Sequence, residues 1–144
     1  MAFRGTYEFS LDAKNRLTIP AKQRAALAEG VVLAKGLEPC VAIWRPEDYD
    51  AWVGQVLAGV NPGSRQARDL QRYFQSNSLE TELDSAGRVM LPAFLIDHGT
   101  LRKDVVVLGA GTSMEVWDRA AWTEHNAALS ASAADLTESL GHPS

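Results

Sequence analysis

The chain has 144 residues, 46% hydrophobic and 22% charged, with 14 Lys and Arg against 18 Asp and Glu for a net charge of −4. That length suits one ordinary domain or two small units sharing a core, and the balance is that of a soluble globular protein, not a disordered or fibrous one. No apolar run reaches the roughly 20 residues of a membrane span, and a single cysteine, Cys40, excludes an intrachain disulfide and a cysteine-based metal site assembled from one protomer.

The opening MAFRGTYEF has no signal-peptide core, so the cytoplasm is the expected compartment. Residues 6–11, TYEFSL, alternate Tyr7, Phe9 and Leu11 with polar residues, the period of a half-buried strand. Residues 12–15 predict a turn, because Asp accepts hydrogen bonds from nearby backbone N–H groups and Asn tolerates tight geometry. Residues 16–19 resume as a strand, so the expectation is a hairpin with Lys14 and Arg16 at or beside its tip. Pro20 ends pairing and suits the first turn of a helix, which residues 21–30 supply and Gly30 stops.

Further along, residues 31–34 and 40–44 predict short strands, with Cys40 expected to be a buried, inert thiol. A helix is expected from Pro46 to about Val60, with Glu47 and Asp48 in the turn where the helix dipole favours acids. Residues 61–64, NPGS, are the best linker signal. Ser64 then caps a helix placing Ala67, Leu70 and Phe74 on one face and Arg65, Arg68 and Arg72 on another. These arginines are either a solvated face, the favoured reading, or ligand contacts. The plan then repeats: strand 79–83, turn 84–87, strand 88–91, a helix from Pro92, strands 105–108 and 114–117 around a glycine turn at 109–111, and a helix over 120–129. The tail, 131–144, is small and polar and is expected to be mobile.

The organising feature is a duplicated motif. DAKNRLTIP (residues 12–20) recurs as DSAGRVMLP (84–92), an offset of 72 that holds for Leu11/Leu83, Asp12/Asp84, Arg16/Arg88, Pro20/Pro92 and Ala21/Ala93. Downstream the match slips by one residue, pairing Gly36 with Gly109, Trp44 with Trp117 and Tyr49 with Trp122. Two whole units are therefore expected, 3–60 and 77–130, joined by a linker and connecting helix at 61–76. Each is too small to bury a dependable core alone, so the two should cover one another about a pseudo-twofold axis.

Leu-Asp, a short turn, Arg, an apolar strand and Pro form a pattern that resembles the AbrB and MazE group of swapped-hairpin regulators and antitoxins. With two copies and the opening FRGTYEFSLDAKNRLTIP, the chain is similar to the MraZ family, over roughly residues 3–130. The resemblance implies an α+β fold of two tandem AbrB/MazE-like β-hairpin or barrel units with flanking helices. It also implies a sequence-specific DNA-binding transcriptional regulator, expected to repress a division and cell-wall gene cluster including its own promoter. Such a protein would act as a closed homo-oligomeric ring on tandem repeats in double-stranded DNA and associate with the nucleoid. No cofactor, metal, membrane or small-molecule substrate is expected.

The residues are compatible with that chemistry in their own right. A two-stranded ribbon can enter the major groove, an arginine at the foot of a turn can form a bidentate pair with guanine, and a lysine at the tip suits phosphate. Arg16 and Lys14 fit these roles. Arg88 is the second copy's counterpart of Arg16, but Ala86 replaces Lys14, and Glu80, Glu82 and Asp84 surround it. The plain alternative is that Asp12/Arg16 and Asp84/Arg88 are ion bridges stiffening two turns; a blend is expected, with each Asp ordering its turn and Arg88 partly structural. Arg4, Lys22 and Arg24 either contact phosphate or solvate the surface, and they help give residues 1–24 a local net charge of +3. An antitoxin-like protein or a structural assembly without DNA binding are the alternatives. Catalysis finds little support: His98, His125 and His142 show no metal-ligand spacing with carboxylates, and no nucleophile elbow or phosphate-binding loop is present.

Overall fold

The computed structural model describes residues 2–141. In chain order the elements are β1 (Thr6–Ser10), β2 (Arg16–Thr18), β3 (Val31–Lys35), β4 (Val41–Trp44), α1 (Pro46–Leu57), α2 (Arg65–Ser76), β5 (Ser78–Thr81), β6 (Arg88–Met90), α3 (Ala93–Gly99), β7 (Asp104–Gly109), β8 (Ser113–Asp118) and α4 (Arg119–Leu140). The central strands bury side chains on both faces, which side-chain alternation allows only if both faces are covered. Val31, Leu33, Val41, Ile43, Val105, Val107, Met114 and Val116 point to one layer with Leu17, Ile19, Val89, Leu91 and Leu95. On the opposite face Val32, Ala34, Ala42 and Trp44 meet Tyr49, Val53 and Phe74 of α1 and α2, while Val106, Leu108 and Trp117 meet Trp122 of α4.

The class is α+β. Six antiparallel strands run in the order β1-β7-β8-β4-β3-β5, and β2 and β6 form a separate two-stranded sheet. No barrel closes among the described residues, so the expected barrel units give way to one shared open sheet with a ribbon laid across it.

The expected hairpin of residues 6–19 does not form either. After the turn its arms part: β1 pairs with β7, Tyr7 opposite Val107 and Phe9 opposite Val105, and β2 pairs with β6. Reciprocally, β5 pairs with β3. Each half thus lends its first strand to the other half, where a run of buried valines and leucines offers more apolar contact than a three-residue arm could.

The register is symmetric about two residue pairs. In the ribbon Leu17 faces Val89, its own counterpart at an offset of 72. In the large sheet Ala42 faces Glu115, its counterpart at an offset of 73. For β3 and β7 the correspondence shifts once more, since Phe9 opposes Val105 and Thr81 opposes Val31; Val31 and Val105 are 74 apart. This corrects the expected Gly36/Gly109 match: Gly109 is the last residue of β7, paired with Met114, and its counterpart is Lys35, paired with Val41.

Two helices also differ from expectation. Residues 21–30 form two 3-10 turns, Ala21–Gln23 and Ala25–Leu27, in which only Leu27 is buried. An alanine-rich stretch this short, with one anchoring side chain, cannot sustain an α-helix. Its counterpart α3 buries Leu95 and Gly99 and is α-helical. At the other end α4 continues to Leu140, past the expected stop at 129; the alanines of 127–134 favour helix without needing to bury anything. Ser64 caps α2 as expected, its Oγ accepting from the Ala67 N–H at 3.1 Å.

Candidate nucleic-acid interface

The site is built from the two turns. Asp12 Oδ1 accepts from the backbone N–H groups of Lys14 and Arg16 at 2.9 and 2.8 Å, and Oδ2 accepts from Arg16 Nε at 2.6 Å. Asp84 repeats the pattern with the N–H groups of Ala86 and Arg88 and with Arg88 Nε, each at 2.9 Å. Between aspartate and arginine one residue must take a left-handed conformation, which Asn15 (φ 57°) and Gly87 (φ 75°) supply. The four-residue spacing is therefore a geometric requirement: one carboxylate caps the turn's N–H groups and aims the guanidinium that follows. The Arg16 N–H foremost, with the side-chain pairing added, holds Asp12 below the ordinary carboxyl value of 3.8 against the opposing effect of burial. Asp84 is lowered in the same way by Arg88.

The ribbon then brings the two arginines together. Leu17 and Val89 are buried against the core, so alternation turns Arg16, Thr18, Arg88 and Met90 to the outer face. Arg16 opposes Met90 and Arg88 opposes Thr18, making the arginines diagonal neighbours, roughly 7–8 Å apart in such a register. Each arginine side chain keeps a third of its surface exposed, and Met90 is 61% exposed. Only Nε is engaged by aspartate; among the described residues no hydrogen bond holds the terminal nitrogens of either arginine. The ion-bridge reading and the outward-facing reading are thus both realised, in different atoms of one side chain.

The remaining expected residues sort by position. Lys14 is exposed on the first turn. Arg24 donates from Nε to the Ile19 carbonyl at 3.0 Å and lies across Gly87, where a side chain would collide with it; it braces the second turn. Lys22 is exposed on the first 3-10 turn. Arg4 is exposed at the end of β1 remote from the first turn, its carbonyl 3.4 Å from Gln23 Nε2.

Sequence reasoning missed Lys103. Its carbonyl accepts from the Leu11 N–H at 2.8 Å, and it lines one cleft with Asp12, Ala13 and Asn15. The pairing of β1 with β7 puts it there, and no feature of the sequence signalled that pairing. The neighbouring Arg102 serves the fold instead, its Nε and Nη2 bonding the buried Asp118 carboxylate at 3.2 and 2.9 Å.

Elsewhere, His98 Nε2 meets the Gly36 and Glu38 carbonyls at 2.9 and 3.1 Å, and His125 stacks on Trp117. The first ties α3 to the loop after β3 by hydrogen bonding and the second is a packing contact; His142 lies outside the described residues. Cys40 is fully buried, and desolvation, with Glu115 and Glu38 nearby, pushes its thiol well above the usual range.

A family model described as "MraZ protein, putative antitoxin-like" matches residues 2–72 and 74–140. Similar proteins named "Transcriptional regulator MraZ" occur in Kocuria rhizophila, 42% identical over 123 residues and 85% of each chain, and in Micrococcus luteus, 39% identical over 138 residues and 96% of each. Another, from Heliobacterium modesticaldum, is 36% identical over 138 residues, again 96% of each chain.

Proposed function

The chain belongs to the MraZ family, and on that premise we propose that it is a transcriptional regulator that binds double-stranded DNA through the outer face of the β2–β6 ribbon. The observation that carries the reading is the convergence of Arg16 and Arg88, which are 72 residues apart in sequence, on one exposed face. A two-stranded ribbon fits the major groove, and each guanidinium has its Nε fixed by aspartate while its terminal nitrogens remain for a bidentate pair with guanine. Asp12 and Asp84 act as positioning residues. Lys14 contacts phosphate; Arg24 supports the second turn; Lys22 and Arg4 contribute peripheral charge at most.

In this reading the two motifs are AbrB-like units fused in one chain, and the protein represses its own promoter by seating several copies, in a ring, on repeated sites. Multiple ribbons on one duplex would offset the chain's net negative charge through effective concentration. The C-terminal half of α4 favours assembly, because it exposes Leu129, Leu136 and Leu140 at spacings of seven and four, a seam with no apolar partner among the described residues.

Binding of a duplex from the gene's own upstream region, compared between the natural protein and Arg16→Ala, tests the proposal. Loss of sequence-specific affinity with unchanged particle mass supports it. Equal affinity of both proteins would remove Arg16 from the interface, and failure of the natural protein to bind any duplex would leave protein assembly alone as the function.

A further inference from the structure

The pseudo-twofold relates the two ends of the ribbon, but their charges differ. At the first turn the Leu11 N–H donates to the Lys103 carbonyl, and a cleft is lined by Asp12, Ala13, Asn15, Arg102 and Lys103. Beside the strand that leads into the second turn, a cleft is lined by Glu29, Gly30, Glu80, Thr81, Glu82 and Leu83. At the 74-residue offset that the register gives for β3 and β7, the counterpart of Lys103 is Glu29. At the 72-residue offset of the motif, the counterpart of Ser10 is Glu82 and that of Lys14 is Ala86. These three substitutions shift the first end toward basic and the second toward acidic charge, although Arg24, across Gly87, stays at the second turn with its Nε bonded to the Ile19 carbonyl. Lys103 is exposed and makes no ion pair among the described residues, so its charge does no work within the fold.

We infer that Lys103, in the cleft it shares with Asp12, Ala13 and Asn15 of the first turn, is a docking point for a DNA backbone phosphate, and that the more acidic end, with Glu29, Glu80 and Glu82, is held off the opposite stretch of backbone. This rests on the DNA-binding reading above and gives it a polarity: the ribbon enters the groove with its two ends under different constraint, pinned at the first turn and repelled at the second. An ammonium on a flexible stem suits a phosphate oxygen, which carries charge but no base identity. Arg102 is not assigned this role, because Asp118 already holds its guanidinium.

The test is equilibrium binding across a range of salt concentrations to two duplexes of equal length, one from the gene's own upstream region and one of scrambled sequence. Lys103→Ala and Lys103→Gln should weaken both duplexes by a similar factor, on the order of fivefold at low salt. Each should also reduce the slope of log affinity against log salt by about one. Lys103→Arg should restore both. Because the side chain is solvent-exposed and unpaired, thermal melts of these variants should match the natural protein. If the natural protein binds the upstream duplex and Arg16→Ala abolishes that binding, while both neutral Lys103 variants keep full affinity and slope, this inference is overturned and the DNA-binding reading stands. If the natural protein binds neither duplex, the functional reading itself fails and takes this inference with it.

Discussion

At the scale of single residues, one carboxylate plays two parts. Asp12 closes a turn through backbone N–H groups and, through its second oxygen, sets the direction of a guanidinium. Replacing Arg16 with lysine keeps the charge but loses both the Nε contact and the planar fork. Arg16→Lys should therefore retain non-specific binding yet lose about 1–3 kcal/mol of discrimination for the proper sequence, measurable by competition between specific and scrambled duplexes. Acid should also act through these residues. Asp12 and Asp84 are lowered first by the arginine N–H groups, and Asp118 first by the Arg102 side chain. A carboxyl with a depressed folded value stabilises the fold above its unfolded value and loses that contribution as pH falls through the folded one. Stability should hold above about pH 5 and decline below 3.8, the ordinary value. In Asp12→Asn/Asp84→Asn the decline, followed by denaturation at each pH, should be shallower.

At the scale of elements, the ribbon depends on what it hides. Leu17 is fully buried beneath the partly exposed arginines, and Leu17→Ala should cost roughly 2–5 kcal/mol in denaturant unfolding. Ser64→Ala should cost about 1 kcal/mol by uncapping α2. Alternation of apolar residues made most strands legible in the sequence, and the Asp-to-Arg spacing made both turns legible. Strand partners were not legible, because periodicity says which face a residue takes and nothing about which strand lies beside it. For the same reason Arg16 and Arg88 could be named individually but not seen to share a face, and Lys103 stayed hidden. The 3-10 turns at 21–27 were missed because alanine content signals helix, whereas burial of a single leucine decides against it.

For the whole molecule, the exchange of first strands means that neither half owns a complete sheet. Fragments 1–62 and 63–144 should each be largely unfolded alone and should recover native circular dichroism and tryptophan fluorescence when mixed. Independent folding of either fragment would show that the exchange is dispensable. The same exchange shapes how the chain is made. Ser10 is hydrogen-bonded to Asp104, 94 residues later, so β1 leaves the ribosome well before its partner exists. At roughly 5–20 residues per second, several seconds pass in which an amphipathic edge strand has nothing of its own to pair with. A newborn chain is thus most vulnerable to sticking to its siblings early in synthesis, and slowing translation late in the message should lower the yield of native protein without altering one amino acid.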